Sequence, residues 1–198
     1  MLDFATGYTT LASGGDEKKL HFIKKVYDNA GNLLYEFKEK HNYVFNSNDV
    51  YILNELLTGT TNSVFSDYTT PTALSLASKM SRKYALKTGT TNTDSWVCGY
   101  NPEALMMVWV GKDDAKDIDN TASYYSKNIW LDTLEGFFKD KEPIWYETPV
   151  NVIGVVKDGI TGEDKSDGKN NTILYYVKGT ELGVSMAQES DDNKKNSS

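Results

Sequence analysis

Lys87-Thr88-Gly89-Thr90-Thr91 sets one cation, three hydroxyls and a position without a side chain next to one another. Flanked by Tyr84, Ala85 and Leu86, the run reads as a strand. Those residue types suit the gripping of a carboxylate and a peptide backbone. At a sheet edge, the free N–H and C=O groups of such a strand can pair with an extended peptide. Gly89 would let that peptide approach without a Cβ in the way. Thr88 and Thr90 offer hydroxyls to a carboxylate, and Lys87 supplies positive potential beside them. The Thr90 N–H, turned into a site, could form half of an oxyanion hole. Without context the same run is a strand end with an exposed lysine.

The elements around the run give it a frame. Residues 2–13 put Leu2, Ala5, Tyr8, Leu11 and Ala12 on one helical face, stopped by Gly14-Gly15. Two alternating runs, Phe22 to Asp28 and Leu33 to Phe37, flank Asn29-Ala30-Gly31-Asn32 and predict a hairpin. Asn46 or Ser47 can cap a helix whose apolar stripe is Val50, Leu53, Leu56 and Leu57, ended by Gly59. Thr70 and Pro71 open a shorter helix reaching about Met80. Tyr84 to Thr91, Trp96 to Tyr100 and Leu105 to Gly111 follow with short links, which permit only an antiparallel meander. The third of these is apolar from Leu105 to Val110, as expected of a strand covered on both faces. A helix from Tyr124 to Lys139, with Trp130, Leu134, Phe137 and Phe138 as its stripe, is the candidate cover. Strands at Val152–Lys157 and Ile173–Lys178 come last. The charged end 188–198 lacks a core-forming pattern and is expected to be disordered.

Composition excludes several classes. Twenty-eight acidic against 21 basic residues give a net charge of −7, which argues against a nucleic-acid surface. One cysteine, Cys98, allows no internal disulfide and no thiolate-cluster zinc site; a buried, inert thiol is expected. His21 and His41 stand apart, without metal-ligand spacing, and are expected on the surface. No metal or other cofactor is called for. No run approaches the about 18 apolar residues of a membrane span, and no signal peptide opens the chain.

Residues 84–111, YALKTGTTNTDSWVCGYNPEALMMVWVG, closely resemble the segment with the third active-site motif of penicillin-binding proteins, whose set is S-x-x-K, S-x-N and K-T-G. DFATGYTTLASGG resembles the helix and Gly-Gly ahead of a hairpin in the class A (bifunctional), Gram-positive type. FIKKVYDNAGNLLYE is similar to that hairpin, NIWLDTL to the start of the closing helix, and YYVKGTEL to a G-T-E-P segment, with Leu182 where Pro is usual. Leu86 also departs from the family, which often has Gly there; the usual G-T-G before the motif strand is only loosely matched by Gly59-Thr60-Thr61, and a long connection, 62–82, with a short helix fills the space.

The resemblance implies an α+β fold: an antiparallel sheet of the K-T-G strand and two following strands, packed against a C-terminal helix, with an extra N-terminal hairpin. It implies residues 1–142 as the C-terminal portion of a transpeptidase domain and 143–187 as a small β-rich extension. Lys87 would poise a serine hydroxyl and attract the terminal carboxylate of a D-Ala-D-Ala stem peptide or a β-lactam. Thr88 and Thr90 would bind that carboxylate, and Lys87, Thr88, Gly89, Thr90 and Thr91 together would be the substrate-binding residues. The parent would sit on the extracytoplasmic face of the membrane.

Serine at its free pKa is a poor nucleophile and needs an activating lysine one helical turn away. The one S-x-x-K here, Ser166 to Lys169, lies in a polar, Gly-containing loop after the motif strand; the one S-x-N, Ser126-Lys127-Asn128, opens the closing helix. Both stand in the wrong order for the family. No catalytic serine is therefore expected within these 198 residues, and the chain is expected to be inactive alone, as a piece of a longer enzyme or a degenerate relative. The alternative is a non-catalytic module that binds stem peptides or a partner.

Overall fold

The computed structural model describes residues 1–164 and 168–181. The charged end 188–198 lies outside the described residues, as do Ser166 and the last part of the 143–187 extension.

Three antiparallel strands form the centre: β3 (Ala85–Thr90), β4 (Asp94–Tyr100) and β5 (Leu105–Gly111), in the order β3-β4-β5. The register pairs Lys87 with Cys98 and Cys98 with Met107, then Gly89 with Trp96 and Trp96 with Trp109. Alternation therefore sends Lys87, Gly89, Trp96, Cys98, Met107 and Trp109 to one face. Leu86, Thr88, Val97, Gly99, Met106 and Val108 go to the other.

That second face carries the core. The helix α3 (Ala122–Phe137) lays Trp130, Leu131 and Leu134 on Leu86, Val97 and Val108, all buried. Gly99 makes this packing possible, because a Cβ there would stand 2.3 Å from the Trp130 ring. Trp130 Nε1 donates to the Met106 carbonyl at 3.2 Å, which satisfies the one polar atom of a fully buried side chain. Phe138 joins the core, but Phe137 is 54 % exposed. Their rings meet edge-on at 4.9 Å, one residue apart and about 100° round the helix, so only one can face the sheet. Arg82 donates to the carbonyls of Phe138 and Lys141 at 3.0 and 2.9 Å, closing the end of α3.

The opposite face is covered at one end only. The helices α1 (Leu2–Ala12) and α2 (Ser47–Thr58) pack near Tyr100, whose hydroxyl donates to Asn54 Oδ1 at 2.8 Å. Asn46 caps α2 through the Asn48 N–H at 2.8 Å, as the sequence predicts. Its inward side differs from the expected stripe: Val50, Tyr51 and Asn54 are buried, while Leu53 and Leu56 are exposed. The buried Asn54 bonds both Tyr100 and the Leu11 carbonyl, and this polar junction fixes the rotation of the helix. β5 likewise differs from its expectation, since Val108 alone in it is buried and the Trp109 side lacks a full cover. The helix expected from Thr70 is a 3-10 segment, Leu74–Lys79, whose buried Leu76 joins the core.

Two hairpins stand outside this body. β1 (Lys25–Tyr27) and β2 (Leu33–Glu36) are exposed at every position. Their turn is held by Asp28, whose Oδ1 accepts from Ala30 and Asn32 N–H at 2.9 and 2.8 Å. Nearly buried Asp16 anchors the base, meeting Lys18 Nζ and His41 Nδ1, each at 2.7 Å. Lys18 and then His41 hold its carboxyl well below the usual range. β6 (Val152–Asp158) and β7 (Asn171–Val177) form the second hairpin, docked on α2 by an edge-on contact of Tyr175 with Tyr51.

Candidate functional site

Among the described residues β3 is an outer strand of its sheet, so one side of its backbone faces no neighbouring strand. Thr91 N–H donates to the Asp94 carbonyl at 2.9 Å, which fixes the phase of the ladder. Alternation then turns the N–H and C=O groups of Gly89 and Lys87 toward β4 and those of Thr88 and Thr90 outward. Lys87 lies across that free edge, with Nζ donating to the Thr88 carbonyl at 2.6 Å.

The five expected residues do not share one role. Lys87, Thr88, Gly89 and the Thr90 backbone line the open edge. Thr91 closes the turn into β4: its Oγ1 accepts from the N–H groups of Thr93 and Asp94 at 3.1 and 3.0 Å and donates to Asp94 Oδ2 at 3.1 Å. Asp94 also accepts from Trp109 Nε1 at 2.7 Å. The Thr93 hydroxyl and then the Trp109 indole hold its carboxyl below the usual range. The turn at the end of β3 is thus tied to β5 as well as to β4.

On the Lys87 face a groove of about 520 Å³ runs under the edge, with Trp96, Cys98, Met107 and Tyr8 among its walls. Gly89 opens onto it. A Cβ at Gly89 would meet only Trp96 Cβ at 3.6 Å, an ordinary contact, so the protein's own packing does not require a glycine there. Past Thr90, a second cavity of about 560 Å³ lies against Asn92 and the 117–120 loop, which is pinned by Ile118 N–H to the Asn92 carbonyl at 2.8 Å.

Two potential nucleophiles near the strand are disabled by burial. Cys98 lies in the groove floor, and burial pushes its thiol up to about 12, as an inert thiol requires. Ser126, of the one S-x-N run, is fully buried and shares a 2.8 Å hydrogen bond with Ser95 Oγ on the core face. Among the described residues, no His, Cys, Asp and Glu cluster could hold a metal ion. No helix among them is long and apolar enough to cross a membrane.

The chain is 35% identical to penicillin-binding protein 2D of Bacillus subtilis, over 96% of its own length and 29% of that relative. This chain is a relative of the penicillin-binding proteins. Penicillin-binding protein 1A of Clostridium tetani is 28% identical over 90% of the chain, and that of Rickettsia conorii 23% over 96%. The chain spans less than a third of the length of these penicillin-binding proteins. No protein-family model matches it. The crystal structure of penicillin-binding protein 1A from Haemophilus influenzae superposes with a TM-score of 0.77 at 19% identity, over 91% of this chain and 32% of that one. The α+β fold, with its sheet backed by α3, is therefore that of penicillin-binding proteins.

One neighbour of the K-T-G run was not legible in sequence. Thr72 stands sixteen residues before Thr88 in the connection 62–82, and it receives the Thr88 hydroxyl proton at 2.9 Å. No spacing links the two positions, because the connection between them folds as a 3-10 segment and not as the expected helix.

Proposed function

We propose that this chain supplies the peptide-holding strand of a peptidoglycan D,D-transpeptidase, in which serine acyl transfer cross-links stem peptides. The observation that carries the reading is the open edge of β3, with the main-chain groups of Thr88 and Thr90 outward and Lys87 across them. A stem peptide ending in D-Ala-D-Ala, or a β-lactam, would lie along that edge with its carboxylate beside Lys87 and the hydroxyl that Thr88 shares in its contact with Thr72. The outward Thr90 N–H would form half of the oxyanion hole. Residues 1–142 would act as part of the transpeptidase domain and 143–187 as an appended β-rich unit. The parent, of the class A type, would work on the extracytoplasmic face of the membrane.

The acylated serine is not supplied by the residues around the grip. Ser126 is locked in the core, and Ser95, on the same face, is its partner. The chain by itself therefore holds the peptide without cutting it. Incubation of the purified chain with a fluorescent penicillin, followed by denaturing electrophoresis, should give no labelled band. Titration with a D-Ala-D-Ala peptide, followed by amide NMR, should move the resonances of Thr88, Gly89 and Thr90 and fail to do so in Lys87→Ala. Stoichiometric serine labelling would overturn the division of labour, and unmoved Thr88–Thr90 amides would overturn the grip. A non-catalytic peptide-binding module is the second reading, favoured by the buried state of Ser126; it predicts the same binding in a parent that is never acylated.

A further inference from the structure

The connection 62–82 carries an exposed threonine that touches the grip. Thr72 lies between Pro71 and Ala73, both buried, and Ala73 N–H donates to the Thr60 carbonyl at 2.9 Å. Leu76, a turn further on, is in the core. The backbone at Thr72 is thus fixed on both sides while its own side chain is left exposed. That side chain stands at the outer edge of β3, where Thr88 Oγ1 donates to Thr72 Oγ1 at 2.9 Å.

Two hydroxyls in contact share one proton between them and keep the other. Thr88 spends its proton on Thr72, so the proton of Thr72 is the one left to donate outward. A hydroxyl that accepts one hydrogen bond is polarised toward donating another. Lys87 Nζ, on the Thr88 carbonyl, supplies the positive charge next to this pair. A cation beside a pair of hydroxyls with a free proton is complementary to a carboxylate. An exposed Thr–Thr contact has little worth as a strut, because water competes for both groups.

We propose that Thr72 is a ligand-binding residue: its hydroxyl, oriented by Thr88, donates to the terminal carboxylate of the peptide held along β3. This rests on the β3 edge being the peptide-binding edge. It makes the 62–82 connection part of the site and no mere spacer before the motif strand.

The test compares a peptide ending in D-Ala-D-Ala with the same peptide as its C-terminal amide, titrated into the full chain and followed by amide NMR. The chain should bind the free acid more tightly than the amide. Thr72→Val should weaken binding of the acid by roughly tenfold, the scale of one hydrogen bond to a charged group, and leave the amide unaffected. Thr72→Ser, which keeps the hydroxyl, should restore the acid preference. Thr72→Val and Thr88→Val together should cost less than the sum of each, since the two hydroxyls act as one donor. If Thr72→Val keeps the acid preference while Lys87→Ala loses it, the role of Thr72 is overturned and the β3 grip stands. If the chain binds acid and amide alike, both are overturned. If Thr72→Val weakens acid and amide equally, or Thr72→Ser does not rescue, Thr72 is a strut and the inference fails.

Discussion

The two faces of the β3–β5 sheet are built from the same three strands and end in opposite states. Against α3, Leu86, Val97 and Val108 meet Trp130, Leu131 and Leu134 with no space to spare, to the point that Gly99 can carry no Cβ. On the other face Trp96, Met107 and Trp109 stay partly open to a groove beside Lys87. Alternation along a strand puts the closely packed side chains on one face and leaves the other face partly open. The edge strand joins them, since Leu86 is buried in the core and its neighbour Lys87 is exposed at the outer edge.

Tryptophan provides the sharpest contrast. Trp130→Ala should cost about 3–5 kcal/mol in urea unfolding, because it empties a closed site. Trp96→Ala, from the open face, should cost under about 1.5 kcal/mol, since water already reaches its surroundings. Equal losses would mean that the two faces are equally packed. Next comes the polar pair inside the core face. Ser126→Ala should lose about 1–3 kcal/mol, as it leaves the Ser95 hydroxyl buried without that partner. A loss below about 0.5 kcal/mol would show that water enters between β4 and α3.

Alkaline pH probes the covered end of the groove face. Burial raises the Cys98 thiol from 9.0 to about 12, and burial likewise raises the phenol of Tyr100. A group whose folded value lies above its unfolded one gives stability that is complete below the unfolded value. That stability is lost as pH rises through the folded value. The contribution of these groups to unfolding free energy should therefore be constant below pH 9 and fall between pH 9 and about 12, with a shallower fall in Cys98→Ala. Iodoacetamide should leave Cys98 unmodified at pH 8 in the native chain and alkylate it in urea; rapid native labelling would place the thiol in open solvent. The smallest effect belongs to the grip: Lys87→Ala should change stability by no more than about 0.5 kcal/mol, its one bond being exposed.

Legibility in the sequence followed the same division. The period-2 runs and short links of 84–111 fix three antiparallel strands, and β3, β4 and β5 follow them closely. The Asn46 cap and the Asp28 turn were readable because each is settled within a few residues. The inward side of α2 was not: Asn54 faces in because Tyr100, 46 residues away, receives it, and Leu56 faces out because nothing covers it there. Phe137 and Phe138 are indistinguishable as letters, and the rotation of α3 on the sheet chooses between them.

The same holds at the site. The sequence by itself determined the K-T-G run, the types of its side chains and, through its length and links, that it is a strand beside a second strand. Local chemistry and alternation suffice for that, since both act over a few residues. The tertiary structure alone decided that β3 is an outer strand, that Thr91 serves the turn while Thr90 faces outward, and that Thr72 reaches Thr88. Those outcomes depend on which segments meet in space, and contacts between distant residues are fixed by packing of the whole chain.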